Sequence, residues 1–195
     1  MEQLYTGAQI DLPVSFEGSS VNYTLTDFEG NSSAIVEDPT NSSNTVAMSM
    51  KMPNSSPSAG TTIGTSAGFA TTIPLTLTDS KMTVKVWSPD AGTPIRLKVE
   101  DASNGAISCE TEALTVTAGG WDTLTFNFMD PATGTAALNL SNTYDKASIF
   151  FDFGTAGAQD TFYFDNVMFG GDTSTPPPPA LSQIDLPVTF EDTTV

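Results

Sequence analysis

The chain has 195 residues, 23 of them acidic against 6 basic, a formal net charge of −17, and no histidine. An acidic surface repels nucleic acid and anionic membranes, and the missing imidazole removes Ser-His-Asp and Cys-His catalysis together with histidine-ligated zinc. One cysteine, Cys109, allows no intrachain disulfide, and the length suits a single domain of roughly 160 residues whose core needs no staple.

Residues 1–9 (MEQLYTGAQ) have neither a basic start nor an apolar stretch, so no signal peptide is visible and we read them as flanking linker. No run approaches the roughly 20 apolar residues of a membrane span. From residue 10 onward, apolar or alternating runs of strand type recur at 12–17, 33–38, 44–51, 69–78, 80–88, 93–101, 107–115, 121–129, 146–153 and 161–169. Turn-forming clusters such as DPTNSSN, SPDAGTP and DPATGTA separate them. About ten short strands and no helical period predict an all-β domain over 10–170, a two-sheet antiparallel β-sandwich of jelly-roll type. Residues 171–183 include PPPP and read as a semi-rigid polyproline linker. Residues 184–195, IDLPVTFEDTTV, then repeat residues 10–21, IDLPVSFEGSSV; the two differ only at the second copy's Thr189, Asp192, Thr193 and Thr194. Such a repeat marks the first strand of a following module.

Alternation sorts the faces. In KMTVKVWS, Met82, Val84 and Val86 point one way, while Lys81, Thr83, Lys85 and Trp87 point the other. The next run, taken as its hairpin partner, puts Ile95, Leu97 and Val99 inward and Arg96, Lys98 and Glu100 outward. Leu124, Phe126 and Phe128 point in, as do Ile149, Phe151 and Phe153. Trp121, Thr123, Thr125 and Asn127 point out, with Lys146, Ser148, Phe150 and Asp152. Three large aromatics, Trp87, Trp121 and Phe150, therefore share the polar faces of their strands. Flat rings beside Arg96, Asn127 and Asp152 are what a sugar requires, since a pyranose has an apolar C–H face and hydroxyls that need bidentate partners. The blander alternative makes Trp87 and Trp121 lids at strand ends. Tyr144, in the loop NTYDK, is either a rim contact or a structural tyrosine.

A second pattern concerns cations. Asp165, in TFYFDNVMF, shares a face with Tyr163, Val167 and Phe169, and few basic residues remain to neutralise a buried carboxylate there. Glu17 follows Phe16 on the first strand, which a jelly roll commonly places near the last. Two hard carboxylates with loop oxygens make a Ca²⁺ site, and the turns at Asn31 and Asn44 supply candidate further ligands. Solvated or amide-capped carboxylates are the alternative. Cys109 alternates with Ile107 and reads as a small core residue.

The segments LPVSFE, YTLTDFEGNSSAIVEDP, MTVKVWSPDAGTPIRLKVEDA, GWDTLTFNF, YDKASIFFDFG and FYFDNVMF together resemble carbohydrate-binding modules of the galactose-binding-like jelly-roll kind. These are appended, often in tandem, to secreted glycoside hydrolases of marine bacteria that act on laminarin and related β-1,3-glucans. The resemblance implies a non-catalytic, secreted or cell-surface polysaccharide binder. It also implies a structural Ca²⁺ on the residues that match the family's ligands, Glu17 and Asp165. One position departs: such modules often carry an aromatic just before the AGTT segment, and this chain has Ser58 there. Two competing classes stay in view. One is a Ca²⁺-stabilised structural repeat of an acidic surface protein or adhesin without glycan binding, joined to neighbouring repeats by strand exchange. The other is a small carboxylate-dependent enzyme, for which no carboxylate pair stands out.

Overall fold

The structure, a computed structural model, describes residues 7–170. The Pro-rich linker and the second copy of the first strand lie outside the described residues. Twelve strands follow one another: β1 (Ala8–Gln9), β2 (Val21–Asn22), β3 (Thr26–Phe28), β4 (Asn31–Asp38), β5 (Asn41–Lys51), β6 (Gly60–Thr62), β7 (Lys81–Ser88), β8 (Pro94–Asp101), β9 (Asn104–Leu114), β10 (Gly120–Asn127), β11 (Lys146–Phe151) and β12 (Asp160–Phe169). Ten of them form two five-stranded antiparallel sheets, β10-β7-β12-β5-β4 and β3-β6-β11-β8-β9, while β1 and β2 make a short parallel pair. This is the expected sandwich.

On β7, β8, β10 and β11 the inward rows are those that alternation predicts. On β12, Phe162 and Phe164 face the core, and Tyr163, expected on the core or edge side with Asp165, lies on the outer face opposite Trp87 because the strand's register shifts after Asp165. Met82, Val84, Val86, Leu124, Phe126, Phe162 and Phe164 from the first sheet meet Ile95, Leu97, Val99, Cys109, Ile149 and Phe151 from the second. Phe151 and Phe162 stack across the gap at 5.1 Å. Burial pushes the Cys109 thiol up to about 11, and its Sγ–H points at the Phe128 carbonyl, so it behaves as a core residue.

Three expectations about strands need correction. The run 69–78 is not a strand: Pro74 has no N–H to give to a ladder, and the segment instead anchors Phe69 and Ile73 in the core through single bonds to Asp145 and Tyr144 carbonyls. The first run, 12–17, is not a strand either: it bends at Leu12, Pro13 and the left-handed Phe16, and its backbone pairs with β12 only at Val14 and Val167. Above all, β7 and β8 are not a hairpin. β7 pairs with β10 and β12, whereas β8 pairs with β11 and β9 in the other sheet. The connection 89–93 crosses the sandwich, held by Ser88, Thr93 and Thr115 hydroxyls that all donate to the Asp90 carbonyl at 2.8, 3.0 and 2.8 Å.

Lys51, at the end of β5, is 2% exposed. Its Nζ donates to the carbonyls of Pro57, Phe151 and Asp152 at 3.0, 3.2 and 2.8 Å. A buried ammonium is tolerable only when its donors are used, and here all three are. Burial holds this lysine below its ordinary value, opposed by the charges of Asp152 and Asp160. The clasp joins the first sheet to the end of β11 in the second and to the 52–58 loop. That loop in turn abuts Gly157, where a Cβ would come within 2.1 Å of the Met52 carbonyl oxygen. Replacing Lys51 with Met should leave buried carbonyls without donors and cost about 3 kcal/mol. The measurement is a urea melt, read as a lower midpoint at unchanged slope; an unmoved midpoint would remove the clasp from the fold's energetics.

Candidate functional site

The outer face of the second sheet has three side-chain rows, set by register. One row runs Phe28, Gly60, Phe150, Arg96, Glu112; the next Thr26, Thr62, Ser148, Lys98, Glu110; the third Lys146, Glu100, Ser108. Gly60 creates a dip at the centre of the first row. A Cβ there would lie 3.0 Å from the Phe28 ring and 3.1 Å from that of Phe150. The dip opens into a groove of about 390 Å³, lined by Phe28, Glu29, Ser58, Thr62, Phe150 and Phe153, with Lys98, Glu100, Glu110 and Ser148 completing its wall.

Its aromatic part is a relay of edge-to-face rings, Phe28 on Phe150 at 5.3 Å and Phe150 on Phe153 at 5.7 Å. Phe153 is expected inward on alternation but lines the groove. Asp152 has φ 45°, a left-handed residue that breaks the alternation immediately after Phe151. The Arg96 guanidinium lies over the Phe153 ring at 3.5 Å and pairs with Glu110 and Glu112. Arg96 therefore supports Phe153 with its donors directed to two carboxylates. At the rim, Glu29 sits in a tight β3–β4 turn at φ 55° and accepts a hydrogen bond from Ser58, which lowers its proton affinity. Ser58 thus stands at the groove.

Charges in the groove are used within it. Glu100 is 7% exposed and paired with both Lys98 and Lys146. Burial alone would push its carboxyl up, but the hydrogen bonds and charges of the two lysines outweigh that and hold it below the ordinary carboxylate value.

Trp87 and Trp121 are on the opposite outer face. Register places Trp121, Trp87, Tyr163, Met48 and Ala34 in one row across the first sheet. Both indoles are half-buried. Trp121 donates its Nε1–H to Thr40 and Asp38, in the β4–β5 turn at the opposite edge of the sheet, and carries Lys85 over its ring at 5.6 Å. Trp87 packs edge-on against Tyr163, its Nε1 buried without an acceptor among the described residues. The structure therefore separates the residues expected to share a sugar platform. Arg96 belongs to the other sheet from the indoles. Asn127 lies at the far end of β10 from Trp121, accepting from Ser80 and the Met129 N–H. Tyr144 is 2% exposed, a core residue whose hydroxyl bonds the Asn139 backbone. Asp152 lines a smaller edge cavity of about 220 Å³ with Asp90 and Asp160.

Glu17, Asn44 and Asp165 do come together. Thr45 N–H donates to Glu17 Oε1 at 2.6 Å, and the neighbouring Asn44 amide reaches Asp165 Oδ2 at 3.2 Å and Asp38 Oδ2 at 3.3 Å. Asp165 is 1% exposed. Burial chiefly, and the charge of Glu17, push its carboxyl up, against hydrogen bonds from Asn44 and Asn166 and the charge of Lys85. Left-handed residues Phe16 (φ 59°) and Asn166 (φ 48°) flank the two carboxylates and turn the chain at each. Asn31 is not part of this cluster: it pairs with Lys51 at the other end of β4 and bonds Asp27 and Ser49. Among the described residues no group of three or more His, Cys, Asp or Glu side chains is arranged to hold a metal. The candidate ligand set is thus two carboxylates and an amide. Asp165 has no lysine or arginine within ion-pair distance among the described residues, and its oxygens accept from the Asn44 amide and from the Asn166 backbone and side chain.

No protein-family model matches the chain, and no curated protein is similar to it. Its fold is shared with solved structures. A carbohydrate-binding module specific for non-crystalline cellulose superposes with a TM-score of 0.57 at 15% identity, over 85% of this chain and 97% of that one. The family 11 carbohydrate-binding module of a cellulosomal cellulase of Clostridium thermocellum gives 0.51 at 15% identity, over 84% and 96%. An exo-beta-agarase gives 0.54 at 12% identity; 87% of this chain is covered, but only 25% of that enzyme. At these identities the likeness is one of fold.

The depressed Glu100 value has a sign. A carboxyl that is more acidic folded than unfolded contributes stability above the ordinary carboxylate range and loses it as pH falls through the folded value. Glu100→Gln should therefore lower Tm at neutral pH and converge with the unaltered protein on acidification. A gap that stays constant down to acid pH would show that the ion pairs contribute nothing.

Proposed function

We propose that this chain is a non-catalytic carbohydrate-binding module that holds a neutral polysaccharide, a β-1,3-glucan such as laminarin, in the groove on the second sheet. Such a module would be secreted and would keep an associated enzyme on algal polysaccharide. One observation carries the reading: an open groove of about 390 Å³ in which three phenylalanines lie beside hydroxyls, carboxylates and a lysine. Ring faces of Phe28 and Phe153 suit the C–H face of a pyranose, and Glu29, Ser58, Thr62, Lys98 and Glu110 offer donors and acceptors to its hydroxyls. Three carboxylates against one lysine among the lining residues favour an uncharged chain over uronates or sulfated glycans. With Ser58 in place of an aromatic, the rim holds sugar by hydrogen bonds, and a single module binds weakly; tandem copies would add affinity through effective concentration.

The alternative, a spacer that binds no glycan, predicts no response to any polysaccharide. In a laminarin affinity gel, Phe153→Ala should abolish retention and Trp87→Ala should leave it intact. Equal migration of all three proteins with and without laminarin would favour the spacer. Loss of retention in Trp87→Ala alone would move the sugar to the first sheet.

We further propose a structural Ca²⁺ held by Glu17 and Asp165, with Asn44 turned to present its amide oxygen. The ion would neutralise the buried Asp165 carboxylate and tie the first segment to β12, away from the sugar. Calcium should raise Tm, chelation should reverse the gain, and Asp165→Asn should be indifferent to both. A calcium-dependent Tm that survives Asp165→Asn would refute this assignment.

A further inference from the structure

The first segment of the fold is held in an unusual way. Residues 10–17 form one pair of ladder bonds with β12, Val14 and Val167 each donating to the other at 2.9 Å, while the Ile10 carbonyl takes the Ala70 N–H. The strands of the sheet containing β12 pair over five to eight residues (Phe164 to Asp160, for instance, on β5). What fixes residues 10–17 is therefore side-chain burial. Ile10, Val14 and Phe16 are 2%, 0% and 3% exposed, with Phe16 edge-on to Phe164 at 5.5 Å. Asp11 accepts from the Thr71 hydroxyl at 2.9 Å and Glu17 accepts from Thr45.

Every one of these side chains recurs in the second copy, as Ile184, Asp185, Val188, Phe190 and Glu191. The four differences fall where the slot is permissive, at the half-buried Ser15 and the exposed Gly18, Ser19 and Ser20. Only Gly18 discriminates. A Cβ there would stand 2.9 Å from the Tyr23 hydroxyl, so the match ends at Glu191 and not at Val195.

Direction also agrees. The Val14–Val167 pair is antiparallel, so Ile10 lies toward the C-terminal end of β12 at Phe169. Residue 184 follows after the 13 positions 171–183. A loop of that length closes at modest entropic cost, and an attached segment competes at an effective concentration near millimolar. We propose that residues 184–191 compete with residues 10–17 for the slot of the same module, so that this first segment of the fold is exchangeable. The displaced segment is then free to serve a preceding module, and an array would be linked by shared strands as well as by linkers.

The test is a double-mutant cycle in the full chain. Phe190→Ala should leave Tm unchanged. Phe16→Ala should lower it by only a few degrees, because Phe190 takes over. The double variant should lose about 10 °C or more. If Phe16→Ala and the double variant melt together, or both fail to fold, the exchange is refuted; Phe16→Leu and Phe190→Leu give the same comparison with a milder lesion. A rescue that grows with protein concentration would put the copy in another chain's slot and overturn the intramolecular form.

Discussion

An ammonium group enclosed by main-chain carbonyls is the constraint around which the loops of this sandwich are arranged. Lys51 belongs to the first sheet, but its three acceptors belong to the 52–58 loop and to the end of β11. The hydrophobic core alone would accept several angles between two twisted sheets, since burial is non-directional. Three hydrogen bonds from one buried charge are directional, and misplacing any of them leaves a polar group unpaired at low dielectric. The same bonds set the groove. Pro57 precedes Ser58 on its rim, and Phe151 and Asp152 lie between Phe150 and Phe153 on its floor. Stability and the shape of the groove are therefore coupled through a residue that does not line it.

That coupling was only partly legible in the sequence. Period-2 alternation fixes which side of a strand is apolar, and the inward rows of β7, β8, β10 and β11 follow it up to Phe151. Alternation is silent about which sheet a strand joins. SPDAGTP has the composition of a hairpin turn, yet the hydroxyls of Ser88, Thr93 and Thr115 bend it into a crossover around the Asp90 carbonyl. Thr115 is distant in sequence, so no local signal betrays this. The consequence is large: Trp87 and Arg96, neighbours on a hairpin, become residues of opposite outer faces.

Single backbone residues account for much of the remainder. A left-handed Asp152 turns Phe153 from the core to the groove, and Glu29 with Gly30 at φ 55° and 93° forms the turn that brings Phe28 there. The short runs Thr26–Phe28 and Gly60–Thr62 are too brief to show a period, although they carry the groove's dip. By contrast, that Glu17 and Asp165 lie near one another follows from the placing of the first and last segments side by side, which is readable in the sequence. Of the basic residues, Arg96, Lys98 and Lys146 serve glutamates on the second sheet, and Lys51 serves carbonyls. Asp165 is left with amides and with the charge of its cross-strand neighbour Lys85, whose ammonium lies over the Trp121 ring without forming an ion pair.

The weak backbone ladder of the first segment and the carboxylate cluster are two aspects of one design problem. The first segment meets β12 only at Val167, beyond Phe164 where the pairing of β12 with β5 ends, so little backbone is left for it to pair with. Its hold comes from buried side chains and from the bond that Glu17 accepts from Thr45. Segments with few protected backbone bonds open locally at a cost well below global unfolding. A cation shared between the first segment and β12 would raise that cost selectively, because it binds only when both carboxylates are in place. The fraction of time for which the slot stands open to a second claimant would then depend on the ion, and the linkage between modules with it.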